Sequence, residues 1–151
     1  MQLVLWRHAE AEDGADDLAR VLTAKGVRQA QAMGRWLHRH LPAEARILAS
    51  PAVRTQQTVE ALGRAWQTLA ELAPGASAAA VLHAAGWPRA EGCVLVVGHQ
   101  PTLGEVAARL LGGAQGWSMR KGAILWFEQR QRGGASQTAL RAALDAGFLV
   151  G

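Results

Sequence analysis

The run Gln2-Leu3-Val4-Leu5-Trp6, followed at once by Arg7-His8, decides how this chain folds. Its apolar and aromatic residues favour a buried strand, which delivers Arg7 and His8 to the C-terminal edge of a sheet. In open α/β sheets ligands bind along that edge. Successive strand side chains point to opposite faces, so the two basic residues share a pocket only if the chain leaves strand geometry at about Arg7. That departure is expected.

Outward from this strand, the pattern strand, polar turn, helix recurs. Residues 23–41 place Val27, Ala30, Met33 or Gly34, and Leu37 at helical intervals, with Thr23 as N-cap and Pro42 just beyond the end. His38 and His40 are two apart on that helix, face different sides and are expected to be solvated. Arg46–Ala49 reads as a short strand. Ser50-Pro51 then reads as a helix start, the hydroxyl as N-cap and the proline at the first helical position, for a helix carrying Val53, Val59, Leu62 and Trp66 inward. A third, alanine-rich helix follows over 77–85, stopped by Gly86 and Pro88. Cys93–Val97 is a continuous β-branched run, as in a central strand covered on both faces. Gly98-His99-Gln100-Pro101 turns it into a helix from Thr102 to Leu111, closed by Gly112-Gly113. Ala123–Glu128 reads as a strand, Gln129 to Ser136 as turn-rich, and Thr138–Leu144 as an antiparallel return. Strands alternating with helices predict an α/β fold, a three-layer αβα sandwich with a mostly parallel central sheet and helices on both faces.

The 151 residues, half of them hydrophobic, suit one domain over 1–151 that buries roughly two-thirds of its unfolded surface. Apolar runs fall short of the roughly 18 residues a membrane span needs, and Arg7 arrives too early for a signal core, so a cytoplasmic protein without membrane attachment is expected. Cys93 is the single cysteine, which excludes an internal disulfide and reads as a buried structural thiol. The net charge of +4 carries no basic block: only Lys25 and Lys121 are lysines, and aromatic residues do not alternate with basic ones as in a single-strand binder. Positive charge then points to an anionic substrate rather than to nucleic acid.

Each of three strand-to-helix turns holds basic side chains: Arg7 and His8, Arg54 after Ser50-Pro51, and His99 after Gly98. If the strands are parallel, these four converge on one edge. Arg54 is informative because it sits in a helix's first turn, where the macrodipole disfavours a cation by roughly 0.3 to 1 kcal/mol. An anion just beyond the helix offsets that penalty, although so long a side chain can also run out to solvent. Two guanidiniums and two imidazoles suit a phosphoryl group, since planar forks match its oxygens. At 4 Å and an effective dielectric near 20, each unit charge pair contributes about 4 kcal/mol before desolvation. Turnover needs a neutral imidazole. Arg7 beside His8 favours the neutral form, whereas a bound phosphate favours protonated His99; the two are expected to be pushed apart into attacker and electrophile, with a phosphohistidine intermediate at His8.

Leu3 to Ala11 around Arg7-His8, Ser50-Pro51-Ala52-Val53-Arg54-Thr55-Gln56-Gln57-Thr58, and Val97-Gly98-His99-Gln100-Pro101-Thr102-Leu103 together resemble the histidine phosphatase superfamily, the phosphoglycerate mutase-like fold. The three motifs stand in the family's order over nearly the whole chain. The short length, Leu22–Gly26 and Glu71–Pro74 resemble its small SixA-type phosphohistidine phosphatases. The resemblance implies a nucleophile at His8, phosphate-binding Arg7 and Arg54, a second phosphate-binding histidine at His99, and neither metal nor organic cofactor. It implies as substrate a phosphorylated protein, such as a histidine phosphocarrier or phosphotransfer protein, and a monomer is expected. Two positions depart from the pattern. Ala9 stands where the family has glycine, and Gly75-Ala76-Ser77 replaces a Gly-Asp continuation.

Larger relatives use a carboxylate to protonate an alcohol leaving group, and Glu71 is the candidate proton donor by position. An imidazole leaves without such help, so a missing donor favours phosphohistidine over a sugar phosphate. A small phosphate ester as substrate, and a phosphate-binding module without turnover, are the alternatives. The acidic stretch Glu10, Glu12, Asp13, Asp16 and Asp17 does not match a calcium loop and is expected to be solvated, or else a collar that selects basic partner surfaces.

Overall fold

Alternation along the first strand sets the two sides of the molecule. In β1 (Gln2–Arg7), Leu3 and Leu5 pack into one apolar layer while Val4 and Trp6 pack into the other, all four fully buried. The neighbouring strands β2 (Arg46–Ala49) and β4 (Cys93–Gly98) divide likewise: Leu48, Val94 and Val96 join Leu3, and Ile47, Ala49, Leu95 and Val97 join Trp6. Such two-sided burial is why the strands are continuous apolar runs. The structure, a computed structural model, describes residues 1–150; Gly151, the last residue of the expected domain, lies outside them.

Helices α1 (Ala24–His40) and α2 (Val53–Glu60) supply Met33, Leu37 and Val59 to the Trp6 side. Helices α3 (Ala78–Ala85) and α4 (Thr102–Leu111) supply Val81, Leu103 and Val106 to the Leu3 side. A short edge strand β3 (Gln67–Thr68) and a terminal hairpin of β5 (Ile124–Arg132) and β6 (Ala135–Leu144) complete a six-stranded sheet in the order β3-β2-β4-β1-β5-β6. β3, β2, β4 and β1 run parallel; β5 is antiparallel to β1 and β6 to β5. The expected three-layer, mostly parallel α/β architecture is present.

β2, β4 and β1 are adjacent and parallel, so their C-terminal ends share one edge. Trp6 and Ala49 both align with Val97, and Arg7 aligns with Gly98. Because β5 runs the other way, its entry loop, residues 119–123, reaches the same edge: Arg7 N–H donates to the Ala123 carbonyl at 3.0 Å. α2 is held close above this edge. A Cβ on Gly34 of α1 would lie 2.6 Å from the Ala61 carbonyl oxygen, so only glycine allows α1 and the end of α2 this approach.

Several local expectations need correction. Val27 is exposed, because the buried stripe of α1 runs through Gly26, Ala30, Met33 and Leu37. α2 begins at Val53 with Ala52 as N-cap and no side-chain cap, so Ser50 is not its cap and Pro51 is not its first residue. That helix has eight residues; Gly63 then adopts a left-handed φ of 71°, and Trp66 reaches the core from the following segment rather than from the helix. The turn-rich stretch 129–136 is mostly strand, its turn confined to Gly133-Gly134, both with positive φ as a two-residue hairpin loop demands. Thr23 does cap α1, accepting from Gly26 N–H at 2.9 Å. His38 and His40 are exposed, and their Nδ1 atoms lie 2.9 and 2.7 Å from the carbonyls of Leu62 and Trp36. Cys93 is buried, its thiol pushed up to about 11 by desolvation, which suits an inert packing role. No helix among the described residues is long and apolar enough to cross a membrane.

Candidate active site

The four basic residues converge. The rings of His8 and His99 have centroids 5.2 Å apart, and the Arg54 guanidinium bridges them: its Nε lies 3.4 Å from His8 Nε2 and its Nη2 lies 3.4 Å from His99 Nδ1. Arg54 is only 4% exposed, so it does not run out to solvent despite its length. Arg7 enters from the last position of β1 and donates through Nη1 to the Met119 carbonyl at 2.7 Å. Its Nε is buried and has no hydrogen-bond partner.

Local chemistry orients each ring. His8 Nδ1 lies 2.8 Å from the carbonyl of Ala9, to which it donates, so that Nε2 keeps its lone pair. The turn carrying this carbonyl is fixed by Thr58, whose hydroxyl accepts from Ala9 N–H at 3.0 Å and donates to the Arg54 carbonyl at 2.7 Å. β1 and α2 are thereby tied together at the site. His99 is held from behind, its Nε2 lying 2.7 Å from Ser50 Oγ and 3.3 Å from Thr55 Oγ1, leaving Nδ1 toward Arg54. Ser50 thus orients an imidazole instead of capping a helix.

Both imidazoles are pushed the same way. Burial, the largest cause, lowers His8 to about 4, with Arg54, Arg7 and Arg20 adding to the effect and the Ala9 carbonyl opposing it. Burial likewise lowers His99 to about 3, reinforced by His8 and Arg54 and opposed by Asp17. In the protein's own field the site is rich in cations and both rings are neutral near pH 7, as expected for His8; the protonation expected of His99 depends on a bound phosphate. Burial first, and then Arg54, also lowers Arg7.

These shifts make a stability prediction. Both folded values lie below the ordinary 6.5, so the unfolded chain binds more protons as pH falls and the folded state loses stability between about pH 6.5 and 3. Replacing His8 or His99 by Asn is expected to remove about 2 to 4 kcal/mol of this acid-side loss. Urea unfolding at pH 7, 5.5 and 4 measures it; an identical pH slope in wild type and both variants contradicts the assignment.

The acidic stretch is exposed from Glu12 to Asp17, as expected of a solvated loop, but it is anchored at its base and its tip. Its base is closed by a bridge between Ala11 and Leu22, and Glu10 accepts from the Thr23 hydroxyl at 2.8 Å. Its tip, a 3-10 turn over Asp17–Ala19, returns to the site. Arg54 Nη1 donates to the Asp17 carbonyl at 2.6 Å, and Arg54 Nη2 to Asp17 Oδ2 at 3.2 Å. Arg20 donates from Nη1 to Asp17 Oδ1 at 3.1 Å and from Nε to the Glu12 carbonyl at 2.7 Å. Hydrogen bonds from Arg20 and then Arg54 hold the Asp17 carboxyl below the usual carboxylate range. The anion facing the start of α2 is thus a side chain of the protein itself. Glu71 lies in the 3-10 turn Ala70–Leu72, exposed, and shares no hydrogen bond or ion pair with the four basic residues.

Reading the sequence missed Asp17, Arg20, Ser50, Thr55 and the Met119 carbonyl. Only Ser50-Pro51 carried a local signal, and it pointed to capping.

Residues 3–77 match the family model of the histidine phosphatase superfamily, branch 1. The phosphohistidine phosphatase SixA homolog of Haemophilus influenzae is 36% identical over 128 residues, 74% of this chain and 78% of the relative. Phosphohistidine phosphatase SixA of Escherichia coli is 33% identical over 122 residues, 75% of this chain and 76% of the relative. Among solved structures, the protein histidine phosphatase SixA complexed with tungstate superposes with a TM-score of 0.78 at 27% identity, covering 99% of both chains.

Proposed function

Since the chain belongs to the histidine phosphatase superfamily, in its SixA-type branch, and is by that membership a phosphohydrolase, we propose that it hydrolyses phosphohistidine on a protein through a covalent intermediate at His8. The observation that carries the reading is Arg54 bridging the two imidazoles beside a buried Arg7 Nε that has no partner. A phosphoryl oxygen would satisfy that donor.

In this reading Arg7 and Arg54 hold the phosphoryl oxygens, and the lone pair of His8 Nε2 attacks phosphorus. The bond from phosphorus to the substrate's imidazole nitrogen breaks, and its electron pair stays on that nitrogen. With its other nitrogen protonated, the ring departs as neutral imidazole and takes no proton from the enzyme. Positive charge spreads over the phosphorylated His8 ring, whose Nδ1–H remains on the Ala9 carbonyl. Water then adds to phosphorus, His8 recovers its lone pair, and the water's protons leave with phosphate. The bound dianion raises the proton affinity of His99, which donates from Nδ1 while Ser50 and Thr55 steady Nε2.

The leaving group follows from the acid inventory. Among the described residues, Asp17 is the one carboxylate paired with any of the four basic groups, and its cationic partners keep it ionised. It is a poor proton donor. Glu71, exposed and unconnected, gains no support for that role. A phosphoramidate needs no strong acid, whereas an alkyl phosphate forgoes the roughly 10² to 10⁴-fold that a general acid contributes. We therefore expect kcat/KM on a protein bearing phosphohistidine to exceed that on sugar and nucleotide monophosphates by at least about 10²-fold. A substrate panel at pH 7 tests this; a single ester that matches or outperforms phosphohistidine overturns the proposed substrate.

A further inference from the structure

The nitrogens of Arg54 that a phosphoryl group would need are already engaged. Nη2, the atom nearest His99, is the same atom that donates to Asp17 Oδ2, and Nη1 donates to the Asp17 carbonyl. A carboxylate and a phosphoryl dianion do not share one guanidinium fork without like-charge repulsion. We propose that Asp17 is a positioning residue that occupies Arg54 between turnovers and is displaced by the incoming phosphoryl group, so that it competes with phosphate for the site. The inference rests on the reading of Arg54 as a phosphate ligand.

The segment carrying Asp17 is built to detach. Its 3-10 turn buries none of its residues, Asp16 offers no side-chain cap, and Leu18 is 51% exposed. The turn is therefore held by polar contacts to Arg20 and Arg54, and lifting it exposes little apolar surface. Its base stays fixed by the Ala11–Leu22 bridge and by Arg20 on the Glu12 carbonyl. Asp17 retains Arg20 as a partner when Arg54 is taken, so its charge is not stranded. After hydrolysis the carboxylate returns to Arg54 and helps expel the product.

The test uses the whole protein with two probes, tungstate for direct binding by calorimetry and inorganic phosphate for product inhibition. Asp17→Asn preserves shape and the main-chain contact while removing the competing charge. It is expected to bind both anions about fivefold more tightly, the change that loss of one partly exposed ion pair supplies. Asp16→Asn makes the same change in net charge without a contact to Arg54 and is expected to shift affinity less than about twofold. Arg54→Ala is expected to lose tungstate binding, and adding Asp17→Asn in that background is expected not to restore it. Unchanged or weaker binding by Asp17→Asn, or equal tightening by Asp16→Asn, overturns the inference while loss of binding in Arg54→Ala leaves the phosphate reading standing. Wild-type affinity in Arg54→Ala overturns that reading and the inference with it.

Discussion

His8→Ala is expected to lower release of phosphate from a phosphohistidine-bearing protein by roughly 10⁴-fold or more while leaving the fold intact. The size follows from the role. Removing an attacking group eliminates the covalent route altogether, so only the electrostatic part of catalysis survives. The geometry leaves little room for substitution by a neighbour. His99 presents Nδ1 to Arg54 while its Nε2 is engaged by Ser50 and Thr55, and no comparable carbonyl orients it for attack. His8 by contrast has Nδ1 anchored on Ala9, with Nε2 beside the Arg54 Nε. Trapping acid-labile, base-stable labelled phosphate on wild type and not on the variant complements the rate measurement. Phosphate release by His8→Ala within about tenfold of wild type would remove His8 as nucleophile.

Arg54→Ala ranks second, with an expected loss of about 10² to 10³-fold in kcat/KM, comparable to removal of an oxyanion donor. Arg54 is almost fully buried and touches both imidazoles, so in the proposed mechanism it bears on phosphate binding, on charge stabilisation and on the protonation of His8 at once. Arg54→Lys keeps the charge but not the fork that reaches two rings, and is expected to recover only a minor part of the loss. A second signature separates this role from simple packing. Arg54 helps lower His8, with burial the larger cause, so its removal raises the His8 value and moves the acid limb of the kcat/KM profile toward higher pH. Full activity in Arg54→Lys, or an unmoved acid limb in Arg54→Ala, contradicts the assignment.

Architecture and the four central side chains were legible along the chain because the signals are local. Leu3 to Trp6 and Cys93 to Val97 declare buried strands by composition, Thr23 and Gly86 mark helix ends, and basic residues after three strands mark one edge once the strands are parallel. Signals failed where a residue's partner is remote. Ser50-Pro51 has the composition of a helix start, yet the hydroxyl is claimed by His99, 49 positions away. Val27 keeps the helical period and is nevertheless exposed, since the stripe of α1 that packs inward runs through Gly26, Ala30, Met33 and Leu37.

The sequence by itself determined the alternation of strands and helices, the charge placed after each strand, and the family to which the chain belongs, for all of these depend on residue type and spacing over a few positions. Tertiary structure alone decided that Asp17 folds back onto Arg54, that an antiparallel strand brings the Met119 carbonyl to Arg7, and that both imidazoles are held neutral. The physical reason is that desolvation and charge pairing depend on distance in space, and loop closure brings together groups whose separation along the chain carries no trace of it.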